Sequence, residues 1–208
     1  MQTSLEKIQD NRFLVFSLLS IGIILLAVNF VSEDTRTLVA NLIYIPVPAA
    51  LVILSIIIAT RFRTLGAHGK AWIIFAVFAA TWFIAEQIWM IYEIVYLIDP
   101  WPSIADYFYI GGYPLLIMFS ILYVYPLRKA ISKKLVISAL VISIAFLIPT
   151  FYTVYNANSE ANEFEIALAA SYPILDAIVL CPALIGVTLF FKGEVNFLWS
   201  LVCIGIIM

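Results

Sequence analysis

Charge is scarce in this chain. Only 12% of its 208 residues are Asp, Glu, Lys or Arg, 64% are hydrophobic, and the mean hydropathy is +1.09. That balance excludes an ordinary water-soluble domain and predicts an all-α, polytopic transmembrane helix bundle. Histidine occurs once, at His68, between two apolar runs. A loop position is expected for it, and it has no partners for a metal site or a histidine-based catalytic centre. The two cysteines, Cys181 and Cys203, both lie inside apolar runs, which excludes a disulfide framework and thiolate metal spacing. H-E-x-x-H and G-x-S-x-G are absent, so no catalytic residue is assigned and no cofactor is expected. No lysine lies in the middle of an apolar run, where a retinal Schiff base would need one. The basic residues cluster in loops, which suits anionic headgroups and gives no support to a nucleic-acid partner.

What the chain has is long apolar runs. A span needs roughly 20 residues at a rise of about 1.5 Å each. One transmembrane domain over 1–208 is expected, with complete spans at about 13–31, 38–60, 71–98, 105–127, 135–155 and 166–191. The first is too long for a signal-peptide core and is read as a retained helix. A seventh begins near Val195 and is incomplete at Met208, since its length covers only ~21 Å of a ~30 Å core. Its continuation past residue 208 is the expectation.

The loops set an orientation. Lys7, Arg12, Arg61, Arg63, Lys70, Arg128, Lys129, Lys133, Lys134 and Lys192 fall on one side of this topology, and Arg36 alone falls on the other. The positive-inside rule then places the N-terminus in the cytoplasm of a cell membrane. The opposite loops carry Glu33, Asp34, Asp99, Glu160 and Glu163.

Every second span repeats a pattern near its outer half: Tyr44-Ile45-Pro46, Tyr113-Pro114 and Tyr172-Pro173. Asp106 and Glu165 each stand seven residues before the tyrosine in the last two. A repeating helix pair is expected from this.

Carboxylates also occur where water is scarce. Trp82, Glu86, Trp89 and Glu93 are spaced 4, 3 and 4, which places them on one helical face. Glu86 falls near the middle of its span, and Glu93 about two turns nearer the outer surface. Asp176 lies mid-span in 166–191, one turn after Tyr172, with Pro173 and Pro182 interrupting that helix. An ionised carboxylate in hydrocarbon costs ~2.5–3.5 kcal/mol even on the lenient insertion scale. No Lys, Arg or His lies within the spans to pair with it. Protonation with hydrogen bonds, a hydrated cavity or a bound cation are the remaining solutions. Glu86, Asp176, Glu93, Trp82, Trp89, Tyr113 and Tyr172 are therefore candidates for a ligand, proton or cation site. For Glu86 and Asp176 the competing reading is a pair of neutral acids hydrogen-bonded to Tyr, Trp or Ser that only hold helices together. Trp72, Trp101 and Trp199 lie near span ends and are read as interfacial anchors.

Residues 99–114, DPWPSIADYFYIGGYP, carry the densest motif. Pro100 and Pro102 end one helix, and Ser103 with Asp106 predicts a capping box on the next. Gly111 and Gly112 permit close approach of another helix or a ligand, and Pro114 follows Tyr113. Pro102, Ser103, Asp106, Gly112, Pro114 and Pro173 are assigned to the structural motif.

The run W-x-x-x-E-x-x-W-x-x-x-E, followed by P-W-P-S-x-A-D-x-F-Y-x-x-G-Y-P, resembles the membrane input region of archaeal and bacterial signalling proteins. In those proteins it precedes PAS, histidine-kinase or diguanylate-cyclase domains. The likeness covers 82–116, and Tyr172-Pro173-Ile174-Leu175-Asp176 is similar to that family's second motif. It implies a signal-input role with an effector beyond the 208 residues, and it brings no ligand with it. A small proton- or cation-coupled transporter or channel, or a subunit of a larger membrane complex, is the alternative. The partners expected are the lipid bilayer, a small ligand, proton or cation, and a homo-oligomeric or membrane-complex neighbour.

Overall fold

The computed structural model describes residues 32–43, 45–63, 66–158 and 160–190, together with Ile23, Phe30 and Cys203. The expected 13–31 and 195–208 spans, and Tyr44 of the first Tyr–Pro pattern, lie outside the described residues. The chain divides into two compact units, Met1–Pro46 and Val47–Met208. In the first, α1 is Glu33–Ile43.

The second unit is all-helical where described. Helix α2 is Pro46–Phe62 and α3 is Gly66–Met90, which passes into a π-helical turn at Ile91–Tyr96. Helix α4 is Ile104–Val124 and runs on as a 3-10 segment at Tyr125–Ala130. Helices α5, Lys133–Ala157, and α6, Glu163–Leu189, complete it.

Five helical stretches among the described residues are long and apolar enough to cross a membrane: Thr35–Phe62, Gly66–Tyr96, Ile104–Ala130, Lys133–Ala157 and Glu163–Leu189. Among the described residues the number supported is five, where six with a partial seventh were expected. The α5 surface shows why the surroundings must be lipid. Ile137, Val141, Ile144 and Ile148 are each more than half exposed on one helix, a patch that water would not tolerate. The chain is a multi-pass membrane protein.

Helix α3 packs along α4, α5 packs along α6, and α4 meets α6, so the order across the bundle is α3–α4–α6–α5. The two central helices start alike. Ser103 caps α4 while Asp106 reaches back to the Ser103 amide at 2.7 Å. Asn162 caps α6 while Glu165 reaches back to the Asn162 amide at 3.2 Å. Each box satisfies otherwise orphaned amides where the helix begins, and each places an acid at the positive end of the helix dipole. Each is followed seven residues later by Tyr–Pro, inside an unbroken helix. The Asp106 and Glu165 repeat seen in the sequence is thus a repeat of local structure.

Below this layer lies a buried aromatic cluster. Phe119, Tyr123 and Val124 of α4 pack with Ala71 of α3 and with Leu180 and Ala183 of α6. The ring of Trp72 stands 5.7 Å from that of Phe119, and Phe75 4.7 Å from it. Two expectations are corrected here. His68 lies in the first turn of α3, not in a loop; its Nε2 accepts from Trp72 Nε1 at 3.3 Å and its ring sits 4.4 Å from Tyr123. Trp72, expected as an interfacial anchor, is partly buried and packs against this cluster, with its N–H donated to His68.

Candidate functional site

The site candidates gather on the facing surfaces of α3, α4 and α6. On α3, Trp82 and Glu86 stand one turn apart, so the indole N–H can reach the carboxylate. Trp82 Nε1 donates to Glu86 Oε1 at 3.2 Å. Tyr109 of α4 also hydrogen-bonds Glu86. The Tyr109 ring lies 5.0 Å from Trp82 and 6.3 Å from Trp89, so it occupies the gap between the two indoles beside the acid. Tyr109 is not among the site candidates that the sequence singles out. Its spacing carried a usable signal: Asp106, Tyr109 and Tyr113 are three and four residues apart and share one face of α4.

Gly112 makes this approach possible. A Cβ there would lie 3.4 Å from the Phe78 ring and 3.5 Å from the Trp82 ring. At Gly111 a Cβ would meet nothing. The expected close helix contact therefore belongs to Gly112 alone.

Between α4 and α6, two tyrosine–carboxylate bonds cross in opposite directions. Tyr113 of α4 donates to Asp176 Oδ1 of α6 at 2.7 Å. Tyr172 of α6 donates to Asp106 Oδ1 of α4. The two tyrosine rings meet edge to face at 6.4 Å. Because Asp106 precedes Tyr113 and Tyr172 precedes Asp176, the two helices run parallel. The repeat is not symmetric in its bonding: Tyr172 reaches the capping acid of α4, but Tyr113 reaches Asp176, while Glu165 serves its own box.

Asp106 thus has two tasks. One oxygen closes the cap of α4, and the other holds α6. It is 2% exposed, and both oxygens accept, so its burial is matched by donors. Asp176 and Glu86 are half-buried. They are joined through intermediates: Asp176 to Tyr113, whose ring lies 6.0 Å from Trp82, which donates to Glu86.

Glu93 departs from its expected stripe. The α-helical register ends at Met90, and Glu93 lies in the π-helical turn that follows. There the backbone bonds i to i+5, which shifts a residue away from the face it would occupy in an α-helix. Leu97 closes the turn in the left-handed conformation, at φ 53°. Pro114 and Pro173 sit within their helices directly after Tyr113 and Tyr172, each removing one backbone donor there. Pro102 follows Trp101 through a cis bond, just before the Ser103 cap.

Chemically, three carboxylates are held by neutral donors: an indole N–H, three phenols and a backbone amide. No group of three or more His, Cys, Asp or Glu side chains suited to a metal ion occurs among the described residues. Comparison of the chain with protein-family models, with curated proteins and with solved structures finds no match.

Proposed function

We propose that this protein is an integral membrane signal-input module with an acidic and aromatic site inside the bilayer. The observation that carries the reading is the pair of crossed bonds, Tyr113–Asp176 and Tyr172–Asp106, which tie α4 to α6 beside Glu86. A bond between a phenol and a carboxylate depends on the charge of the carboxylate. A proton, cation or small ligand that changes that charge changes how strongly the two helices are held, and so biases the bundle between two packings. Glu86, Asp176, Trp82, Trp89, Tyr113 and Tyr172 form the responsive face in this reading, with Glu93 at its outer edge. The basic loops face the cytoplasm in this reading, and an effector follows.

A proton- or cation-coupled carrier is the second reading. What favours it is the duplicated cap–acid–Tyr–Pro pattern on two parallel helices, since repeats around a mid-membrane site suit alternating access. Reconstitution into liposomes separates the two. Under an imposed proton or alkali-cation gradient, the input module changes its tryptophan emission without sustained flux above empty vesicles. Sustained flux that Glu86→Gln abolishes would replace the sensor reading with the carrier.

A further inference from the structure

The two ends of the second unit differ in charge. At one end, Phe62, His68, Tyr123 and Phe190 come together through ring contacts. The start of α3, the end of α4 and the end of α6 therefore share that end. It carries Arg61, Arg63 and Lys70 from the α2–α3 turn, and Arg128, Lys129, Lys133 and Lys134 from the α4–α5 connection. All seven are exposed. Neither 61–70 nor 125–134 contains an Asp or Glu. The opposite connections, 97–103 and 158–165, carry Asp99, Glu160, Glu163 and Glu165 and no Lys, Arg or His.

The basic end is built by tight local structure. Arg63 adopts the left-handed conformation at φ 48°, and Gly66 does so at φ 62°. A Cβ at Gly69 would lie 2.3 Å from the Arg63 carbonyl oxygen, so the turn closes directly on α3. Arg63 and Lys70 are held by this turn at the mouth of the helix pair. Across from it, the Arg128 guanidinium lies 4.3 Å from the centroid of the Tyr125 ring. Tyr125 is 49% exposed, an amphipathic ring where a membrane-length helix ends. Lys133 and Lys134 open α5 with no acid in its first turn. Like charges gathered this densely repel one another, and nothing in these two stretches neutralises them.

We propose that this end is a docking surface for anionic phospholipids, with the Arg128, Lys129, Lys133 and Lys134 connection taking their phosphodiester groups and the α2–α3 turn adding Arg61, Arg63 and Lys70. Lipid is the source because the residues ring the ends of membrane-length helices, at the depth where headgroups lie, and a single-sign basic surface there draws anionic headgroups from the leaflet. The surface is separate from the Glu86 and Asp176 layer and stands or falls without it.

The test uses the full chain in nanodiscs of phosphatidylcholine, alone or mixed with phosphatidylglycerol. Phosphatidylglycerol should raise the melting temperature by about 3 °C or more, and high salt should shrink the rise. In the variant Arg61→Gln, Arg63→Gln, Lys70→Gln, Arg128→Gln, Lys129→Gln, Lys133→Gln, Lys134→Gln the rise should vanish, while exchanging each residue for the other basic type should keep it. Equal melting of the wild-type protein in both lipids overturns the proposal, as does a rise that persists in the neutralised variant. Inorganic phosphate producing the same rise in phosphatidylcholine discs would also overturn it, because the ligand would then be a soluble anion. If the neutralised variant does not fold, native mass spectrometry of the wild-type protein decides. Preferential retention of phosphatidylglycerol supports the surface, and equal retention of both lipids rejects it.

Discussion

Tyr172 of α6 donates its phenolic hydrogen to Asp106, the same acid that closes the cap of α4. One side chain thereby fixes where a helix begins and which neighbour it holds. Tyr172→Phe leaves a 2%-exposed carboxylate with one oxygen unmatched. The expected loss is about 1–3 kcal/mol. Tyr113→Phe should cost less, because its acceptor Asp176 is only half-buried. Unfolding of both variants in the same lipid discs checks the order; an equal or reversed order contradicts the two-task role of Asp106.

Glu86 offers a test of hydrogen bonding against charge. Glu86→Gln keeps an oxygen acceptor for Trp82 and Tyr109, so stability should change by less than about 1 kcal/mol. Glu86→Leu strands both donors and should cost about 1–3 kcal/mol. Trp82 reports the difference directly, since its indole N–H loses its acceptor only in the leucine variant. Indistinguishable tryptophan emission in the two variants would mean that the Trp82–Glu86 bond does not form.

The two adjacent glycines should behave differently. Gly111→Ala adds a Cβ into open space on a helix and should stabilise by about 0.5–1 kcal/mol. Gly112→Leu must displace the Phe78 and Trp82 rings and should destabilise by about 1–3 kcal/mol. Thermal melting of each variant, with Trp82 emission beside it, is the measurement. A tolerated leucine at 112 would show that α3 and α4 do not pack there as closely as described.

Ser143 on α5 is 3% exposed, and its hydroxyl has no hydrogen-bond partner among the described residues. Ser143→Ala removes that buried polar atom and changes little volume. It should raise stability by up to about 1 kcal/mol. A clear loss on melting would mean that the hydroxyl is bonded in the folded protein.

The sequence made the membrane class and the central spans legible because a helix in lipid must be apolar along its length, and that requirement is local. The Ser103–Asp106 box was legible for the same reason, since its partners are three residues apart. The Tyr172–Asp106 and Tyr113–Asp176 bonds were not. Their partners are 66 and 63 residues apart in the chain, and only the register of α4 on α6 decides which acid each phenol meets. Symmetry of the repeat would have paired Tyr113 with Glu165. His68 was misplaced because a lone histidine beside glycine and lysine reads as a loop, while the packing of Trp72 and Tyr123 around it is tertiary. The π-helical turn under Glu93 left no periodic trace in Ile91–Tyr96.

The central claim is that the acids inside the membrane set how α4 and α6 are held together. Its most direct test is the distance between spin labels at exposed Tyr107 on α4 and exposed Phe164 on α6, in nanodiscs free of the native cysteines. The distance distribution should shift between mildly alkaline and acidic conditions or on adding alkali cations, and Glu86→Gln with Asp176→Asn should freeze it in one state. A distribution unchanged by protons and cations in the wild-type protein, and identical in the double variant, would contradict the account and leave the acids as structural ties.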